Sequence, residues 1–231
     1  MSKNNDIRKE RVWNGNYIKV WLANFMIFFS FMLLTPLLPT YLSETFHADK
    51  DTIGMVLSGY TMTALIIRSL SGYMVDRFPR RMVLVLSYAF FCMLFAGYLL
   101  AGTLLLFAIV RTLHGAPFGA TTVSNSTVAI DVLPPSRRAE GIGFYGLSNN
   151  VATAISPTVA LLVYGACDNF HGLFWLAFIT SAIGLALTAS VKLPNRPIIR
   201  STSRLSLDRF ILLKGWSQGL SIICFAFSYG I

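Results

Sequence analysis

The chain has 231 residues, 55% of them hydrophobic and only 13% charged, with a formal net charge of +9. With a mean hydropathy of +0.61, that composition excludes an ordinary water-soluble domain. Its three isolated cysteines, Cys92, Cys167 and Cys224, have no metal-ligand spacing and imply no disulfide framework.

Residues 1–19 are polar and charged and read as a loosely ordered tail, with an interfacial lead-in around Trp13, Tyr17 and Trp21. Seven apolar stretches then reach the roughly 20 residues that a bilayer-spanning helix needs: 20–41, 53–75, 82–101, 104–131, 140–165, 170–191 and 214–231. The first is too long for a signal peptide and lacks a small-x-small cleavage site. The outer loops at 43–51, 101–103 and 166–172 are short, which predicts that sequential helices lie side by side. The longest polar stretch, 192–213, reads as a linker.

Orientation follows from the lysines and arginines. With the N-terminus inside, 16 of the 19 basic residues fall in the tail, at 77–81, at 137–138 and at 192–214. Only Lys50 lies in an outer loop, and Arg68 and Arg111 lie within spans. That bias predicts an integral plasma-membrane protein with a cytoplasmic N-terminus. The basic groups are spread over separate loops facing anionic lipid, so the net charge needs no nucleic-acid partner.

The loop between the second and third spans carries the densest pattern: Gly72-Tyr-Met-Val-Asp76-Arg77-Phe-Pro79-Arg80-Arg81-Met-Val-Leu84. One acid and three guanidinium groups sit in a turn of a few residues. The stretch resembles the major facilitator signature Gly-x-Leu-Ala-Asp-Arg-x-Gly-Arg-Lys/Arg-x-x-Leu, departing from it at Pro79, where the family has Gly. The fourth span contains Arg111-Thr-Leu-His114-Gly115, similar to the family's fourth-helix motif.

The resemblance implies an all-α membrane protein: the six-helix N-terminal half of a major facilitator fold, built from two inverted three-helix repeats, plus a partial seventh helix. On that reading 20–191 is the half, 192–213 a basic cytoplasmic linker, and 214–231 the truncated start of a second half. A C-terminal half of the same transporter is then the missing partner. The first span carries Thr35-Pro36-Leu-Leu-Pro39 and its counterpart, the fourth, Gly115-Ala-Pro117-Phe-Gly119. Breaks at corresponding places are expected where a substrate site forms.

The resemblance also assigns candidate residues. Gly72, Asp76, Arg77, Arg80 and Arg81 would form a gating loop, with Asp76 locking against a helix end in the second half. Arg111 would face the central cavity and serve proton coupling. From the residues alone, a charge inside a span marks an ion or substrate path or snorkels to the interface. At helical spacing Arg111, His114, Phe118, Thr121 or Thr122, and Asn125 share one face, with Gly115 beside them. His114 either titrates or packs. Arg68, Gly72 and Asp76 recur every four residues, and Arg68 is a further candidate for the proton-coupling or substrate cavity. Arg68 and Asp76 can reach charged or dipolar partners, and Gly72 is expected to let a neighbouring helix approach. Asn24, Ser30 and Thr35 in the first span, and Asn149, Thr153 and Ser156 in the fifth, are candidate cavity walls or interhelical hydrogen bonders.

The fifth span reads Gly143…Ala152-x-x-x-Ser156-Pro157-x-x-Ala160-Leu161. It keeps the proline and the small residues of the exporters' Gly-Pro pattern but not its glycines, so Ser156, Pro157 and Ala160 are candidates for close packing. The linker's Lys192-Leu-Pro194-Asn195-Arg196 lacks the acid and serine of the sugar porters' signature. No hydrolase, metalloprotease or phosphate-loop motif occurs, so no catalytic residue, metal or cofactor is expected. The expected function is secondary active transport, with proton-coupled export of a small amphiphilic organic molecule. Uptake or uniport of a small metabolite, or a non-transporting half-transporter scaffold, are the alternatives.

Overall fold

A computed structural model describes residues 11–167 and 169–193. The first ten residues of the tail, the linker from 194 and the seventh span lie outside the described residues. Among those described there is no strand. The elements are α1 (Gly15–Leu34), α2 (Leu38–Phe46), α3 (Lys50–Arg77), α4 (Arg80–Leu100), α5 (Leu104–Val132), a 3-10 turn (Pro135–Arg137), α6 (Arg138–Cys167) and α7 (His171–Ala189). Among the described residues, six helical segments are long and apolar enough to cross a membrane.

Local chemistry sets the helix ends. Asn14 caps α1 by accepting from the Tyr17 N–H at 2.9 Å, and Thr103 caps α5 by accepting from the Leu106 N–H. The first span is two helices. Pro36 has no N–H to continue the ladder, so α1 stops at Leu34 and α2 resumes at Leu38. Its counterpart does not break: Pro117 lies inside the continuous helix α5. The expected pair of interruptions is therefore one interruption.

The α3–α4 turn shows why Pro79 can stand in a glycine position. Phe78 is extended, φ −111° and ψ 161°, as a residue before proline prefers, and Pro79 has φ −55°. No left-handed residue is required there. The only positive φ among the described residues is His47, at 52°, where α2 ends.

The short loop at 101–103 sets α4 beside α5 as expected, but the other sequential spans barely touch: α3 lies along α5, and α1 packs on α6 and α7. Close backbone approach draws α3 to α5, since a Cβ on Gly115 would sit 2.2 Å from the Tyr60 carbonyl oxygen and one on Gly119 2.5 Å from that of Ala64. Small residues in place of side-chain bulk are how helices associate where lipid is as apolar as leucine. Such contacts occur in equivalent pairs: α1 with α6 as α5 with α3, α1 with α7 as α5 with α4, and α4 with α7 across the middle. Exchanging the first three spans for the second three reproduces the pattern, as two repeats require. The equivalent helices α3 and α6 are also the least covered, with 17% and 22% of their apolar windows buried against 39–44% for the rest.

Candidate functional site: a caged arginine, a polar seam and a charged end

An aromatic core lies where α1, α3, α4, α5 and α7 meet, and Arg111 is inside it. The side chain is 3% exposed. Its guanidinium carbon lies 4.2 Å from the Tyr60 ring centroid and 5.5 Å from that of Phe31. One nitrogen donates a long bond, 3.5 Å, to the Tyr98 hydroxyl, which also pairs with His114 Nδ1 at 2.9 Å. The imidazole is packed by Phe91 and Phe95, with centroids at 4.7 and 4.6 Å. No acid pairs with Arg111 among the described residues. A desolvated cation–π contact is worth about 2 kcal/mol, against an insertion cost of about 2.5–3.5 kcal/mol for a mid-span charge. The cage offsets much of that cost but leaves the charge uncompensated. The guanidinium is turned into the bundle, and Gly59, Gly115 and Gly119 supply the close approach of α3 that brings Tyr60 to it.

Toward the other end of α5 a second buried cluster joins three helices. Asn24 on α1 donates to the Ser148 hydroxyl on α6 at 2.9 Å and accepts from the Tyr145 hydroxyl at 2.7 Å. Asn125 on α5 donates to the Tyr145 oxygen at 3.0 Å. Asn24, Asn125 and Ser148 are fully buried. Thus Arg111, His114, Phe118, Thr121 and Asn125 all turn inward, while Thr122 is at the edge with Arg68. Ser30 and Thr35 only back-bond to their own helix.

At the end that carries the 77–81 loop, Arg80 grips Asp131 with both oxygens at 2.7–2.8 Å. The Asp131 side chain is 5% exposed, whereas Asp76, 3.8 Å from Arg80, is 79% exposed. Arg81 donates to the Ala189 carbonyl at 2.7 Å, and Arg77 donates to Tyr73 within its own helix. Lys19 donates to Ser190 O and Tyr17 to Gly141 O, so this end is laced across α1, α4, α5, α6 and α7. Asp131 escaped the sequence reading. Its signal was a lone acid closing a span on the same face as a basic loop.

Two sequence expectations change. Gly72 admits no neighbour among the described residues: none lies within 4 Å of a Cβ placed there. Arg68, exposed on α3, reaches a dipolar partner as expected, the Thr122 hydroxyl at 3.3 Å. The fifth-span stripe divides, with Ser156 and Ala160 fully buried, Pro157 half-buried, and Asn149 bonded within its helix to an exposed Thr153.

The sequence matches the Major Facilitator Superfamily over residues 20–231. The chain belongs to that superfamily. It is 24% identical over 189 residues to the staphylopine export protein of Staphylococcus aureus, covering 78% of this chain and 45% of that protein. Similarity to the inner membrane transport protein YajR of Escherichia coli is 27% identity over 71% of this chain and 35% of the relative. For multidrug resistance protein 1 of Bacillus subtilis the figures are 23%, 62% and 36%. In fold it resembles the human organic anion transporter MFSD10, with a TM-score of 0.62 and 18% identity, over 77% of this chain and 47% of that one. The chain spans under half the length of these relatives. As a major facilitator chain it is an integral membrane protein, and its described spans have the architecture of the superfamily's N-terminal half.

Proposed function

We propose that the chain is one six-helix half of a secondary active transporter, exporting a small amphiphilic organic molecule in exchange for protons. The observation that carries this reading is Arg111. A charge kept in a span, turned into the bundle and with no acid beside it among the described residues, marks an ion or substrate path by default. The similarity to export proteins supports the direction, and the uncovered faces of α3 and α6 are what a second half would cover. The cluster of Asp76, Arg80 and Asp131 then acts as the latch on the cytoplasmic side.

In this reading His114 and Tyr98 hold the guanidinium in place, and Asn24 and Asn125 register α1 against α5 and α6. The fifth span's Ala152, Ser156 and Ala160, in place of glycines, favour uptake as the second reading. Everted membrane vesicles holding the full-length protein decide between the two. Driven by an acidic lumen, they should accumulate an amphiphilic dye such as Hoechst 33342 or pyrenebutyrate. Accumulation confined to right-side-out vesicles would assign uptake.

A further inference from the structure

The two cations within the spans are placed differently. Arg111 is sealed in an aromatic cage. Arg68 lies on the open face of α3, the helix with the least burial, nine residues from its end at Arg77. That is about 13 Å of helix rise. Its guanidinium reaches sideways to Thr122 on α5 and not along the helix toward the interface.

Thr122 accepts from Arg68 while its own hydroxyl donates to the Gly119 carbonyl, so the threonine holds the arginine without neutralising it. A guanidinium carries five N–H donors in a planar fork, and the Thr122 bond is the single polar contact of Arg68 among the described residues. One turn further along the same exposed face is Gly72, with none of the described residues within 4 Å of its missing Cβ. No side chain at 72 therefore covers that face of α3 next to Arg68 in the helix. Every acid of the described spans sits near a helix end: Asp51, Asp76, Asp131 and Glu140. The middle of this half therefore presents an unopposed positive field on the face that opens away from the bundle.

Resting on the transport reading, we infer that Arg68, oriented by Thr122 and flanked by Gly72, is a subsite for a carboxylate of the transported molecule. The substrate class is then an amphiphilic organic acid. A planar fork takes a carboxylate by two parallel charge-assisted bonds, and low surrounding polarity strengthens them.

The test uses the full-length protein in nanodiscs of zwitterionic lipid, with three probes sharing one apolar body: pyrenebutyrate, pyrenebutanol and pyrenebutyl-trimethylammonium. Equilibrium dialysis, with empty discs subtracted, gives the affinities. Pyrenebutyrate should bind roughly tenfold more tightly than the alcohol, and the ammonium most weakly. Arg68→Gln should erase the preference for the acid and leave alcohol binding in place. Arg68→Lys, which keeps the charge and loses the fork, should retain part of it. Equal binding of acid and alcohol by the wild type, or a preference that survives Arg68→Gln, overturns the subsite. An equal loss for all three probes in both variants assigns Arg68 a structural role and overturns it too. If the charge preference is present but vesicles move none of the probes, the transport reading fails while the subsite stands.

Discussion

Tyr60 shows what the arginine cage asks of a single side chain. Its ring face takes the Arg111 charge at 4.2 Å, yet its hydroxyl has no partner among the described residues. The ring is therefore the working part. Tyr60→Phe should leave stability unchanged or slightly raised, because a buried orphan hydroxyl is removed. Tyr60→Leu should cost about 2 kcal/mol, read as a lower melting temperature in detergent, and replacing Arg111 by Met as well should recover most of it. Equal losses for Phe and Leu would move the role from ring to hydroxyl. The inward face of α5 was legible in the sequence because helical periodicity alone groups Arg111, His114 and Asn125. Its partners were not legible. Tyr98 and Tyr60 come from other helices, and nothing in local spacing says which helix a charge will meet. Asp131 was hidden for the same reason, 51 positions from Arg80.

At the scale of the helix, glycines separate packing from exposure. Gly115 and Gly72 look alike in sequence, each one turn from an arginine in a span. A Cβ at Gly115 meets the α3 backbone at 2.2 Å, and one at Gly72 meets none of the described residues. Gly115→Ala should lose about 1–3 kcal/mol by forcing α3 outward. Gly72→Ala should gain up to about 1 kcal/mol through helix propensity. Thermal unfolding of the two variants side by side checks the contrast, and equal effects would contradict the α3–α5 contact. The spans themselves were readable from length and hydropathy, and Pro36 marked the break in the first. Neighbour choice was legible for α4 and α5, joined at 101–103, and not for the other pairs, because a short loop fixes where the next helix starts and not where it leans. The GxxxG spacing of Gly115 and Gly119 was the available signal for the α3–α5 pairing.

Over the whole chain, charge and fold agree on two unequal ends. The end with Arg77, Arg80 and Arg81 is laced by Asp131, Ala189 O and Ser190 O, while the opposite end carries little basic charge. A cysteine placed at exposed Phe78 should be labelled by an impermeant maleimide only from the cytoplasm. Labelling from outside would invert the topology.

The central claim is that a caged, unpaired Arg111 couples substrate movement to protons. Its most direct measurement is proton movement on substrate addition, in liposomes reconstituted with the full-length protein and loaded with a pH-sensitive dye. The probe is whichever amphiphile everted vesicles accumulate. The wild type should show a proton flux opposite to the probe, and Arg111→Ala should abolish that flux while the folded protein remains inserted. Wild-type proton flux in Arg111→Ala, or probe movement by the wild type with no proton movement, would contradict the account.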